Sequence, residues 1–339
     1  MIRLIMKYIY IGILIFLAPL VNAQQQPQWL QFQPKKDIAN GKHIVLIAGD
    51  EEYRTEESLP MLAKILTHHH GFITTVLFSI NPKTGLIDPN YQNNIPGMDH
   101  LSSADLLIIA TRFRELPDHQ MKYFDEYLKA GKPIMGFRTA THAFNFEKKP
   151  NSPYAKYGYS SKQKGWEGGF GKKILGETWV SHHGNHGSEG TRGLVNGLLQ
   201  KKNHPLLYGV TNIWGPTDVY TVSSLPADAE VLVWGQTTMG MTAESLGNWE
   251  KTIMPIAWTK SYVSESGNKG KVFTTTMGSS IDFLSEDLRR LIVNACYWAV
   301  GLKNKSADKN NVDIVGTYHP TKFGLLDFKN GKRPQDLIN

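Results

Sequence analysis

Three stretches of this 339-residue chain concentrate side chains that could do chemistry. The densest is "WVSHHGNHGSEGTRG", residues 179–193, which sets His182, His183, His186, Glu189 and Arg192 among glycines. A helix would align His182 with His186, but Gly184, Gly187 and Gly190 would each cost it about 1 kcal/mol. The spacing also lacks the glutamate of the HExxH zinc motif. A loop is therefore predicted, and it admits two chemistries. In one, glycines let backbone N–H groups approach an organic ligand while His182, His183 and Arg192 supply further donors. In the other, His182, His183 and His186, joined by His142 or Glu189, converge on a divalent metal.

The second stretch, "GDEEYRTEE" (49–57), places Asp50, Glu51, Glu52, Tyr53 and Arg54 in one short segment. Glu51 or Glu52 is a candidate base facing a ligand. The other acids read as charges that suit the dipole of a helix start. The third, "GFRTATHAF" (136–144), lies where a strand meets a turn, the place where α/β hydrolases and amidotransferases carry their nucleophile. A nucleophile elbow needs Ser or Cys between glycines, and this turn has neither. Arg138 and His142 remain, suited to stabilising an oxyanion or binding sugar hydroxyls, although His142 could equally bond the backbone of its own turn. Among the loop aromatics, Tyr53, Trp166 and Trp214 are candidates to stack on a pyranose ring. The run His68–His70 is expected to end a helix as cations suited to its dipole, and His204, before Pro205, reads as a turn residue.

The elements that must position these residues follow from the hydrophobic pattern. "HIVLIAG" (43–49) is a continuous apolar run, as in a strand buried on both faces. Helical spacing follows it, with Leu59, Leu62, Ala63 and Leu66 on one face. Strands are predicted at 72–80, 104–110 and 132–138, with an amphipathic helix over 116–131 ended by Gly131. Strand and helix in alternation require right-handed crossovers and a parallel sheet, so the fold class is α/β, doubly wound. Ligands then bind at the carboxyl ends of strands, which selects the loops 49–56, 111–115 and 139–146. Beyond a glycine- and aromatic-rich stretch (150–190) the chain reads as β-rich, with strands in "VYTVSSL", "AEVLVWGQ", "MPIAWTKSY" and "GKVFTTTMG". A last helix, "EDLRRLIVNACYWAVGL", buries the single cysteine, Cys296.

The ends and the composition bound the setting. Arg3 and Lys7, an apolar run from Tyr8 to Val21 and the compact Val21-Asn22-Ala23 read as a secretory signal, residues 1–23, cut after Ala23. The run is shorter than the ~20 residues of a spanning helix, so no membrane span is expected after its removal. Residues 24–40 read as an N-terminal linker, 41–302 as the main domain and 303–339 as an extended C-terminal arm. The net charge of +7 is carried by scattered lysines, which argues against nucleic acid as a partner. The expected location is periplasmic or extracellular.

Taken in order, "HIVLIAGDEEYRTEESLPMLAKIL", "GKPIMGFRTATHAF", "ILGETWVSHHGNHG", "HPLLYGV", "DVY" and "MPIAWTKSY…GKVFTTTMG…RRLIVNACYWAVG" resemble the ThuA-like (trehalose utilisation) family. The resemblance spans nearly all of 42–301. It implies a flavodoxin-like, class I glutamine amidotransferase-like sheet with an added β-rich part, and a role near carbohydrate, specifically 3-keto-glycosides. Carried over by position, the pocket comprises Asp50, Glu51, Glu52, Arg54, Arg138, His142, the His182–Glu189 loop, Asp218 and Tyr220. The chain departs from the family pattern at Arg138 and at Gly278-Ser279, where relatives often carry histidine, and at Val219, where they carry a carboxylate. The amidotransferase cysteine is absent, so glutamine hydrolysis is not expected. The leading expectation is an exported enzyme of carbohydrate or glycoside metabolism, a hydrolase or lyase. Glu51, Glu52 or a loop histidine would be its base, with Arg138 and His142 as stabilisers. A non-catalytic glycan-binding protein and a metal-dependent hydrolase are the alternatives.

Overall fold

The computed structural model describes residues 27–194, 204–303 and 310–338. The expected signal segment, 1–23, lies outside the described residues. Ten strands form one sheet in the order β1-β3-β2-β4-β5-β10-β9-β8-β6-β7. Its centre is parallel: β3 (Ile73–Phe78), β2 (His43–Gly49), β4 (Leu106–Thr111), β5 (Ile134–Phe137) and β10 (Lys269–Thr275). Every residue of β2 and β4 is buried, as an unbroken apolar run requires when helices cover both faces.

The side chains of β2 show how the two faces are filled. Ile44, Leu46 and Ala48 pack with α1 (Thr55–His68) and α3 (Glu286–Ala299), whereas Val45 and Ile47 pack with α2 (Asp118–Lys129). Period-2 alternation thus distributes one strand between two cores. The chain leaves β2 for β3 on one side and returns to β4 on the other, which creates a topological switch point beside β2.

Beyond β10 the sheet turns antiparallel through β9 (Met254–Val263), β8 (Glu230–Thr237), β6 (Thr191–Leu194) and β7 (Ile213–Gly215). The stretch "VYTVSSL" forms no strand; it contributes a single bridge, His182 to Tyr220. Its Ser223 and Ser224 backbone N–H groups are instead taken by the buried Glu177 carboxylate. The segment expected to be an irregular N-terminal linker carries β1 (Trp29–Phe32), an antiparallel edge strand on β3 with Leu30 in the core.

The histidines closing α1 also differ from expectation. His70 is buried and bonds the Asn311 carbonyl (2.7 Å) and the Tyr297 hydroxyl (3.2 Å). Burial pushes its pKa down to about 4, so it is a neutral anchor for the C-terminal segment and not a cation at a helix end. From Asn310 that segment runs over the body, with Val312 and Phe323 buried. No helix among the described residues is long and apolar enough to cross a membrane.

Candidate functional site

Three loops leave the carboxyl ends of β2, β4 and β5, and each contains a non-glycine residue in the left-handed region: Arg54 (φ 56°), Phe113 (φ 52°) and Arg138 (φ 43°). Only one other described residue of this kind exists, Leu326. Such conformations cost of order 1–3 kcal/mol each and persist where the surroundings over-determine them. Strain is thus gathered at one end of the sheet. Arg138 occupies the sharp turn after β5, the geometry of an elbow without a nucleophile.

Arg138 is the buried foundation of the site. Its guanidinium lies between the rings of Tyr53 and Tyr220, 4.1 and 4.3 Å from their centroids. Nη2 donates to the Tyr53 hydroxyl and to Asp218 Oδ1, both at 3.0 Å. Nη1 donates to the Thr276 carbonyl at 2.9 Å, and to the Asp218 carbonyl and Thr217 Oγ1 at 3.2 Å. Arg138 therefore cannot reach a substrate oxyanion; it holds Asp218.

Asp218 in turn faces two imidazoles. His182 Nδ1 lies 2.7 Å from Oδ2 and His186 Nδ1 lies 3.0 Å from Oδ1. Burial pushes the Asp218 carboxyl up, but Arg138 and the two imidazoles outweigh it and bring its pKa down to about 2. The imidazoles, about one-third exposed, line the opening above a fully buried carboxylate. His186 Nε2 is 3.3 Å from Glu52 Oε1, and Arg112 Nε is 3.6 Å from Glu52 Oε2. Glu52, His182 and His186 are the expected site residues that come together with access to solvent.

The local backbone explains why two histidines four apart converge without a helix. The N–H groups of His183 and Gly184 donate to the Val219 carbonyl, and Thr221 N–H donates to the Ser181 carbonyl. Gly184 lies so close that a Cβ would stand 3.1 Å from Asp218 Cβ. The loop is laid directly on the Asp218 segment.

Several expected site residues do structural work instead. Asp50 caps the N–H groups of Glu52 and Tyr53 and accepts from Thr139, tying the β2 and β5 loops together. Glu51 is locked between Arg112 and Arg114, each at 2.6 Å, so it is no free base. Arg54 is buried and donates to the Glu51 and Gly324 carbonyls. Tyr53 and Tyr220 are buried around Arg138. His142 is buried beside Thr141, Phe113 and Trp179; burial first, and then Arg112 and Arg138, hold its pKa well below the usual range. It is a neutral wall group and not a stabiliser facing substrate.

His183 turns away to the Thr252 carbonyl (2.7 Å), so it leaves the expected metal set. Glu189 pins its loop by accepting from Asn185 N–H (2.6 Å) and Lys251 (2.5 Å). Arg192 donates to the carbonyls of Ala243 and Ser245. Trp166 is buried against Tyr157, 4.9 Å between centroids. For a metal, one atom each from His182, His186 and Asp218 all lie within 4.8 Å of one another.

Three contributors were not singled out from the sequence. Arg112 and Phe113 follow β4, in a loop that the strand-end rule selects without naming a residue. Phe323 comes from the C-terminal segment; its ring is 5.1 Å from His186 and 5.6 Å from Tyr53. An isolated phenylalanine in a polar tail carries no local signal of such a role.

The parallel centre, its switch point and the strained loops define a doubly wound α/β protein of the class I glutamine amidotransferase-like type, extended by an antiparallel part. Within that class, residues 45–299 match the ThuA family, described as trehalose utilisation, and the chain belongs to it. It is similar to a ThuA-like protein of Parabacteroides merdae (18% identity, 83% of this chain and 95% of that one, TM-score 0.47). A ThuA-like protein of Bacteroides uniformis is similar at 15% identity over 80% of this chain and 96% of that one, with TM-score 0.45. No curated protein matches the sequence.

Proposed function

We propose that this protein is an exported enzyme, periplasmic or extracellular, that acts on a carbohydrate, with a 3-keto-glycoside as its substrate. One observation carries the reading. An accessible carboxylate, Glu52, and two accessible imidazoles, His182 and His186, surround a buried, charged Asp218–Arg138 pair at the carboxyl ends of the sheet strands. A ketone at C3 acidifies the hydrogen on C2. Glu52 accepts that proton, the electron pair forms C1=C2, the bond from C1 to the aglycone oxygen breaks, and the aglycone leaves with a proton taken from solvent. The negative charge that develops on the ketone oxygen is met from the imidazole side. A positioned base contributes typically 10²–10⁴-fold to such a step.

The half-buried rings of Phe113, Tyr159 and Trp179 support a sugar ligand. Phe113 stands 5.0 Å from both Tyr159 and His142, and Trp179 stands 5.8 Å from His182, so aromatic surface flanks the polar centre. The family description, trehalose utilisation, points to the same ligand class.

The test is release of p-nitrophenol from p-nitrophenyl 3-keto-glucoside by the mature protein. Turnover that falls about 10²-fold or more in Glu52→Gln, with a raised KM in Trp179→Ala, is expected. Binding of the glycoside without release would make the protein a glycan-binding protein instead.

A further inference from the structure

We propose that His182, His186 and Asp218 together hold a divalent transition-metal ion. The inference deepens the reading above and rests on it for the ion's role, though not for its binding. The donor set is two imidazoles and one carboxylate, the composition that suits zinc and its neighbours in the first transition row. Its three donor atoms come within 4.8 Å of one another although they belong to segments 32 and 36 residues apart. Metal–nitrogen bonds of about 2.0–2.1 Å put tetrahedral donors roughly 3.3 Å apart. The contacts of 2.7 Å to Oδ2 and 3.0 Å to Oδ1 would open by a few tenths of an ångström, and the widest donor separation, at most 4.8 Å, would close, as an ion is admitted.

The surroundings fit an ion better than a simple chain of hydrogen bonds. The second nitrogen of His186 faces Glu52, an arrangement in which a carboxylate fixes the ring's tautomer and direction toward a metal. Both ligand segments are held in register by the hydrogen bonds from His183 and Gly184 to Val219, so the pocket is formed in advance. The chemistry also asks for an electrophile. Arg138 and His142 are buried, and Arg112 is engaged by Glu51 and Glu52. An ion on the imidazole side would bind the ketone oxygen as its charge develops.

The experiment uses the mature chain carrying no polyhistidine tag, stripped with chelator and dialysed against zinc, cobalt(II) or manganese(II). The expected result is one ion per chain and a higher melting temperature with metal. Affinity should fall about tenfold or more in His182→Gln and in His186→Gln and stay unchanged in His183→Gln. Circular dichroism of each variant establishes that it is folded, and the one-third exposure of both ligating rings makes their replacement mild. Absence of stoichiometric metal overturns the inference, as does its retention in both ligand variants or its loss in His183→Gln. Full-rate release of p-nitrophenol by stripped protein overturns the ion's role in the reaction while upholding the proposed reaction. One bound ion in a protein that releases none upholds the metal site and overturns the reaction.

Discussion

Replacing Asp218 by asparagine should destabilise the protein strongly at neutral pH and much less in acid. The carboxylate is buried 3.0 Å from Arg138 Nη2, and the guanidinium stays buried whether or not its partner is charged. Removing one member of a buried ion pair costs about 3–5 kcal/mol; an asparagine oxygen that still accepts from Nη2 places this variant at the lower end. The acid arm follows from linkage. The folded carboxyl titrates at about 2 against an ordinary 3.8, which corresponds to about 2 kcal/mol. Because the folded pKa is the depressed one, this stabilisation is complete above the unfolded value and is lost as pH falls from about 4 through 2. The variant has no such group, and every other carboxylate titrates in both proteins and cancels in the difference. Urea unfolding followed by tryptophan fluorescence at pH 7, 5, 3 and 2 measures the gap between the two proteins. A gap of about 3 kcal/mol that narrows by about 2 kcal/mol below pH 5 is expected. A gap independent of pH, or none at pH 7, would refute the reading of Asp218 as a buried, charged partner of Arg138.

Neighbouring glutamates should separate by phenotype. Glu51→Gln, which leaves Arg114 buried without its carboxylate, should lose about 3–5 kcal/mol in urea unfolding, whereas Glu52→Gln should unfold like wild type and lose turnover. His70 should make the protein acid-sensitive in a higher window. Its folded pKa of about 4 lies below the ordinary 6.5, so stability is full above 6.5 and falls by about 3 kcal/mol as pH drops toward 4; His70→Gln should flatten that slope. Gly184→Val places a side chain against Asp218 and the Val219 backbone. It should lift the histidine loop, abolishing turnover and metal uptake with a melting temperature within a few degrees of wild type.

The parallel centre of the fold was legible because β2 and β4 are continuous apolar runs and the helices between them keep a clean 3.6 period. Position was legible too: the strand-end rule selected the loops that hold Glu52, Arg112 and Arg138. What each side chain does there was not, since burial is decided by partners far along the chain. Glu51 looks like Glu52 in sequence, yet its carboxylate is claimed by arginines 61 and 63 residues later. His182 and His183 are adjacent and chemically identical, and only the bridge to Tyr220 sends one to Asp218 and the other to Thr252. The edge strand β1 has four residues, too few for alternation to show, and the tail hides Phe323 because nothing near it in sequence reports on His186.

That tail has a consequence for when the protein can first work. Phe323 packs on His186 and Tyr53, Gly324 accepts from Arg54 and donates to the Glu52 carbonyl, and Thr321 binds Glu57. Thr321, Phe323 and Gly324 lie in sequence beyond every strand of the sheet and beyond its last long helix. Whenever the sheet closes before this tail docks, the wall beside the imidazoles is still missing. A chain cut ahead of residue 318 would keep the strands of the sheet but leave the site open on one side, with Arg54 deprived of one of its acceptors. Completion of the site thus follows completion of the sheet, and docking of the tail is the step that arms the molecule.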